Sequence, residues 1–428
     1  MYYLAMNNCK NIAIQGLNFN YNTKPYAYST EIGETTKTRG SATAVVTLDR
    51  SLNIEGTYTA PSAEFFALVA REDGRYHMSI SSIEVIDADA YKYKITFNNT
   101  FGNITDRVDM LSQYGIIVPM PDVGHTVAHG FEILNNTDVL FENCNVWSTC
   151  KFSFLIKQNE GKVIFNNLNL TPDPNETQGN TGIVGWRDGF HCKENRAQLI
   201  WKDCTLEDVY DDMFNISCSM LTVKSVKSGK INLSWPETNG AYNMIKEGDT
   251  VSFYDTETGI NIGTTTVKTV SGDTITLEED LEGIDKGVYV AVNSLAAPNS
   301  QIINCKIKGT LRFRTPMYIV DSDIHCTRMW LAFESTGAGF LEGPIAENIL
   351  FSNCNFTFDN DEEQFIEIFS SGGTAIAKSV EDGTLSQDDI YHINNIVFRN
   401  CEIDTDRILY DDVEAYCDDV VIIDNTEA

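Results

Sequence analysis

Three aspartates carry the clearest chemical signal in the chain. Asp188 lies in Trp186-Arg187-Asp188-Gly189-Phe190-His191-Cys192-Lys193, and Asp211 and Asp212 open the run Asp211-Asp212-Met213-Phe214-Asn215-Ile216. Asp188 and Asp212 are 24 residues apart. If the chain coils with that period, Asp188 stacks on Asp212, Phe190 on Phe214 and His191 on Asn215, and Arg187 lies beside Asp211. Three carboxylates, a guanidinium and an imidazole then meet on one outer face. Such a group suits cleavage of a glycosidic bond. One carboxyl protonates the leaving oxygen and another activates water, and an inverting pair sits roughly 6.5–9.5 Å apart to make room for that water. Like charges held close raise at least one pKa, so one carboxyl can keep its proton near neutral pH. Asp is also common at solenoid bends, where it bonds backbone amides, and several carboxylates together can hold Ca²⁺. The convergence of three acids with Arg187, His191 and Trp186 favours catalysis over both, with no metal and no cofactor expected.

The scaffold that would set this register is written in an internal repeat. A large apolar residue, any residue, Asn or Asp, then usually Cys, recurs as Met6-Asn7-Asn8-Cys9, Phe141-Glu142-Asn143-Cys144, Phe165-Asn166-Asn167-Leu168 and Trp201-Lys202-Asp203-Cys204. It returns as Ile302-Ile303-Asn304-Cys305, Phe351-Ser352-Asn353-Cys354 and Phe398-Arg399-Asn400-Cys401, with a weaker copy at Val320-Asp321-Ser322. The spacing is near 24 residues, and the apolar residues alternate with period two. That excludes helical repeats, and no LxxLxL frame supports a leucine-rich repeat. The fold class expected is all-β, a right-handed parallel β-helix with inward Cys and Ile ladders and Asn or Asp at the bends.

Two stretches break the repeat, and both look like small antiparallel β modules. The expected organisation is therefore a first coil over 1–30, an inserted module over 31–118 and β-helix with the catalytic face over 119–220. A second inserted, barrel-like module follows over 221–298, and further coils over 299–428. Among 428 residues there are 61 acidic and 31 basic side chains, a formal charge of −30. So acidic a chain argues against nucleic acid and anionic membranes as partners, and favours a neutral substrate. No run of eighteen apolar residues offers a membrane helix. The eleven cysteines include no CxxC pair, so they read as core fillers and not as a zinc site. The first residues carry no signal-peptide pattern and read directly as a strand.

At the aspartates the chain resembles glycoside hydrolase family 110, the exo-α-1,3-galactosidases, whose β-helix carries small β-barrel inserts. The resemblance rests on Asp188-Gly189-Phe190-His191 followed one coil later by Asp211-Asp212-Met213-Phe214-Asn215, and on the segment 124–147 with the two inserts. It departs at Met213 and Phe214, where the family carries smaller residues. The resemblance implies removal of terminal α-linked galactose from glycans with inversion, without a metal, and by an exported protein. It maps the family's lone Asp and Asp-Asp pair onto Asp188, Asp211 and Asp212. By analogy Asp211 is the general acid, while Asp188 and Asp212 hold the water. A looser similarity runs to polygalacturonases, whose His-Gly and Arg-x-Lys signatures are not found.

Around this core the substrate-binding candidates are Trp186, Arg187, His191, Asn215, Arg314, Trp330 and Glu334, with Trp186 and Trp330 as aromatic platforms for a sugar. Lys151, Lys157, Arg312, Glu342, His125 and His129 are further candidates for the same face, and the loop 171–185 for its rim. A noncatalytic carbohydrate-binding β-helix and a polysaccharide lyase on the same scaffold are the competing readings. Open coil ends predict a homo-oligomer.

Overall fold

The computed structural model describes residues 3–21, 25–61, 65–69, 76–99, 104–121, 129–175, 183–234, 244–255, 261–333, 342–344, 346–358, 366–370, 383, 395–409 and 420–423. Its main body is a parallel β-helix: a 22-stranded sheet system in which each strand pairs with the equivalent strand of the next coil. One ladder runs Leu4–Asn7, Phe131–Leu134, Phe154–Lys157, Phe190–Lys193 and Asp212–Ser219, all parallel. A second runs Lys10–Gln15, Thr137–Val146, Glu160–Leu170, Gln198–Lys202 and Ser300–Ile303. The all-β class with a parallel β-helix and two inserted antiparallel modules is therefore the architecture of the chain.

The repeat has a backbone cause. Its Asn or Asp is the residue that turns the chain between strands, and it does so in the left-handed region. Asn8, Asn143, Asn167, Asp203, Asn304, Asp321, Asn353 and Asn400 all have φ between 50° and 59°. Short polar side chains tolerate that conformation better than any others except glycine. Their amides also join one coil to the next: Asn167 donates to Asn143 at 2.8 Å, Asn304 to Asp203 at 2.6 Å and Asn400 to Asn353 at 2.7 Å. The cysteine that follows turns inward. Cys144, Cys204, Cys305, Cys354 and Cys401 are buried, and every described cysteine is free.

Aromatic ladders share the interior with the expected Cys and Ile. Phe131, Phe154, Phe190 and Phe214 stack in succession at centroid distances of 4.5, 4.9 and 5.2 Å. Phe141, Phe165 and Trp201 form a second column at right angles to them. A buried asparagine column lies at another corner. Asn159 accepts from the Asn136 N–H at 2.9 Å and donates to the Ile133 carbonyl at 2.8 Å, and Asn195 repeats the pattern on Asn159 and the Ile156 carbonyl. These amides satisfy backbone groups that the bend would otherwise leave unpaired.

The first insert closes into a ring. His77–Asp87 pairs in turn with Phe66–Val69, Ile116–Pro119, Tyr26–Thr38, Ser41–Leu48 and Lys92–Asn98, and the last pairs back with His77–Asp87. It also contains a helix, Ile104–Tyr114, in a module that the sequence suggested was antiparallel β. Ile104, Val108 and Leu111 are buried from it into the insert's own core, a three-to-four-residue spacing that outweighs the Asn-rich approach. The second insert is a closed six-stranded barrel between Leu221 and Val292.

Removing the buried amide of Asn159 strands several backbone groups at once. Asn159→Ala is expected to cost about 1–3 kcal/mol, while Asn166→Ala, which loses one half-buried hydrogen bond to Glu142, costs less, about 0.5–1 kcal/mol. The denaturant midpoints of the two variants measure this.

Candidate catalytic site

The strands carrying the aspartates lie side by side in the 24-residue register. Phe190 pairs with Phe214 and His191 with Asn215, the Gly189 N–H donates to the Asp212 carbonyl at 2.8 Å, and Gly185 bridges Val209. Asp188, Asp211 and Asp212 thereby meet, with one oxygen from each within 4.8 Å of the others. That gap is narrower than the roughly 6.5–9.5 Å expected for an inverting pair. Asp188 and Asp212 retain 3% and 4% exposure, whereas the Asp211 side chain is 33% exposed and forms the outer edge of the cluster.

A local irregularity aims these groups. Between Asp212 and Phe214 the strand bulges against Lys306–Phe313, so that Met213 is an extra residue. Bulges are a recurrent means of re-aiming a side chain beside a site. Two glycines make room for this one. A Cβ on Gly189 would lie 2.7 Å from the Met213 sulfur and 2.8 Å from its carbonyl oxygen, and one on Gly309 would lie 3.2 Å from the Met213 Cβ.

Each carboxylate has its own partner. Asp188 Oδ2 lies 2.6 Å from His191 Nδ1, Asp211 Oδ2 lies 2.8 Å from Arg187 Nε, and Asp212 Oδ2 lies 3.0 Å from Arg312 Nε. Burial pushes the Asp188 carboxyl well above the usual range, and the Asp211 carboxylate adds to the push. Burial likewise raises Asp212 against the pull of Arg312, with Asp211 and Asp188 raising it further. Burial lowers His191 to about 3, with Lys193 adding to the effect. A protonated carboxyl against a neutral imidazole is thus the consistent state of the Asp188–His191 pair. The imidazole is fixed by stacking: Phe152 lies 4.1 Å from it at an interplanar angle of 1°, and His129 covers the other side of Phe152 at 4.9 Å.

Further along the strands lies a second, buried ionic group. Glu342 is held by Lys193 at 2.6 Å and Arg314 at 2.5 Å, and accepts from Asn215 Nδ2 at 3.3 Å. Burial alone would raise its carboxyl, but Lys193 and Arg314 hold it well below the usual range. It arrives on a short strand, Glu342–Gly343, that pairs antiparallel with Cys218–Ser219.

Most of the residues expected at the site are brought together: Arg187, His191 and Arg312 contact the aspartates, and Asn215, Arg314 and Glu342 form the adjoining ionic group. Lys157 registers with Lys193 one coil earlier and pairs with Glu194 at 3.4 Å, and the Lys151 carbonyl accepts from the Arg187 N–H. Trp186 is a correction. It is 2% exposed and packs with Tyr26, Phe66 and Ile117 of the first insert, so it joins the insert to the β-helix and offers no platform to a sugar. Trp330 is partly exposed, but the guanidinium carbons of Arg312 and Arg328 sit 4.0 and 4.3 Å from its ring centre. Its first task is to hold Arg312 against Asp212. Glu334, His125 and residues 176–182 of the 171–185 loop lie outside the described residues.

Several neighbours were not anticipated. Phe152 is one coil before Asp188, and the 36-residue offset between Lys157 and Lys193 places it there. His77 of the first insert meets the Tyr210 hydroxyl through Nδ1. Burial lowers this imidazole to about 4. Nothing in the local sequence around His77 signals the contact.

No family model matches the chain. A curated protein of similar sequence is the alpha-1,3-galactosidase A of Akkermansia muciniphila, 23% identical over 242 residues. The match covers 53% of this chain and 40% of the relative's length. Among solved structures, the tailspike protein gp49 from Pseudomonas phage LKA1 aligns over 76% of this chain and 56% of its own, at 11% identity and a TM-score of 0.17.

Two outcomes follow from the packing and charge of the site. Gly189→Ala forces a Cβ against Met213 and is expected to destabilise by about 1–3 kcal/mol, read from the denaturant midpoint. Asp188→Asn should act in the opposite direction, and with pH. A carboxyl whose folded pKa is raised stabilises the fold below its unfolded value of about 3.9, and that contribution is lost as pH rises through the folded value. The Asn variant is therefore expected to be more stable than the parent at pH ~8 and to lose that advantage near pH ~4. An Asn variant that is less stable at every pH contradicts the assignment.

Proposed function

We propose that the protein is an exo-acting glycoside hydrolase that removes terminal α-linked galactose, in the manner of an α-1,3-galactosidase. The observation that carries the reading is the meeting of the Asp188, Asp211 and Asp212 carboxylates on one outer face, flanked by Arg187, Arg312 and His191. The similarity to alpha-1,3-galactosidase A supports the sugar class.

The geometry suggests a division of roles. Asp211 is the most exposed of the three and is the carboxyl a leaving oxygen reaches first, so it serves as general acid. Asp188 and Asp212 lie beneath it, close enough to share one proton, and hold a water for attack. Each of these two already engages a partner, His191 or Arg312, and is almost fully buried. Neither can form a covalent glycosyl ester without giving up that partner, which favours inversion despite the short separation. Two guanidinium groups inside the carboxylate cluster also fit a resident Ca²⁺ poorly, since they already neutralise the charge a cation would seek.

Leaving-group dependence separates the roles. Asp211→Asn is expected to lose about 10²–10⁴-fold on galactosyl-α-1,3-galactose, and far less on p-nitrophenyl α-galactoside, whose leaving group needs little protonation. Asp188→Asn and Asp212→Asn should lose turnover on both. Near-normal turnover of the disaccharide by Asp211→Asn overturns the acid assignment. Proton NMR of the first sugar released should show β-galactose, and α-galactose would show retention.

A further inference from the structure

Resting on that glycosidase reading, we infer that the first insert is a working part of the site, and that its His77, through Tyr210, positions Asp211 at the edge of the carboxylate cluster. Asp211 stands outside the strand ladders. The strand Asp212–Ser219 opens one residue after it, and the preceding strand, Thr205–Leu206, has already ended. Its partner Arg187 likewise precedes a strand, Phe190–Lys193. What the two share is a neighbour gripped by the insert. Trp186 comes directly before Arg187, and Tyr210 directly before Asp211.

Phe66 of the insert touches both neighbours. Its ring centre lies 5.8 Å from that of Trp186 and 5.5 Å from that of Tyr210. His77, on the strand paired with Phe66–Val69, lies 5.2 Å from Phe66 and meets the Tyr210 hydroxyl through Nδ1. Arg107 donates to the His77 carbonyl at 2.6 Å, which ties that strand to the helix Ile104–Tyr114. Tyr26 covers Trp186 at 5.9 Å and donates from its hydroxyl to the Ile183 carbonyl at 2.5 Å. On the β-helix side the Tyr210 N–H donates to the Gly185 carbonyl at 2.9 Å, and the Arg187 N–H to the Lys151 carbonyl at 2.8 Å. The Arg187–Asp211 pair, 2.8 Å across, is left partly exposed beside this clamp. The charges of the site reach the clamp. Burial lowers the His77 imidazole to about 4, Arg107 adds to that, and the Asp211 carboxylate opposes it. A neutral ring, with one donor and one acceptor nitrogen, suits a hydroxyl partner. Release of Tyr210 would shift the residue that follows it, and a displacement of about 1 Å at a reacting group can cost about 10²-fold in rate.

Tyr210→Phe, which removes one hydroxyl, and His77→Leu test this in the full chain. Each is expected to lower kcat about tenfold or more on galactosyl-α-1,3-galactose, with KM within about twofold of the parent. Each should lose about threefold or less on p-nitrophenyl α-galactoside, because the misplaced group is the acid. The double variant should lose no more than the larger single loss, since both changes break one contact. His77→Asn, which returns a polar atom to the place of Nδ1, should stay within about threefold of the parent. A crystal structure of Tyr210→Phe should show the Asp211–Arg187 contact opened, with Asp188 and Asp212 in place. Equal losses on the two substrates, additive losses in the double variant, or an unmoved Asp211 in the variant crystal overturns the inference. If His77→Leu fails to melt cooperatively, Tyr210→Phe decides alone, by its substrate split and its crystal structure. A parent that cleaves neither substrate sinks the glycosidase reading, and the variant crystal then decides the positioning: an opened Asp211–Arg187 contact supports it, and an unmoved one overturns it.

Discussion

Parallel stacking at a fixed register is the constraint on which the site depends. Residues 24 apart in sequence become lateral neighbours because two ladders hold them there: stacked Phe154, Phe190 and Phe214 inside, and left-handed Asn or Asp residues at the bends. A slip of one residue would turn every inward ring outward and every outward acid inward. The apolar core therefore fixes the position of Asp188 against Asp212 far more strongly than the carboxylates themselves, which repel. The bulge at Met213 then adjusts what the ladder alone would give, in space left by Gly189 and Gly309.

The site opposes the stability of its own scaffold. Three acids are gathered where two are almost fully buried, and cations answer two of them, Arg187 on Asp211 and Arg312 on Asp212, while Lys193 and Arg314 answer the neighbouring Glu342. In a chain of net charge −30 this is a concentration of scarce positive charge. Buried ion pairs of this kind are weak sources of stability, and a site that destabilises the fold is the usual sign of groups retained for what they do to a ligand.

Much of the scaffold was legible because its causes are local. An Asn or Asp at a left-handed bend, a Cys turned inward after it and alternating apolar residues are all read within a few positions, and their recurrence gave the coil length. The contact of residues 188, 211 and 212 followed from that length by counting. What escaped the sequence depends on long-range folding. Trp186 looked like a sugar platform because it neighbours Asp188, but the first insert folds onto it. His77 reaches Tyr210 from across that insert, and Glu342 crosses back over two coils. The helix Ile104–Tyr114 had a readable spacing of buried residues, but it is a single short element inside an insert whose other described elements are all strands. Phe152, by contrast, was within reach of the same counting that placed Lys157 beside Lys193.

The most direct measurement is a crystal structure of the Asp211→Asn variant soaked with galactosyl-α-1,3-galactose. The account predicts the disaccharide bound at the three aspartates, with its glycosidic oxygen beside position 211 and the anomeric carbon of the terminal ring facing Asp188 and Asp212. A disaccharide bound on any other face, or with its anomeric carbon turned away from the three aspartates, would contradict it.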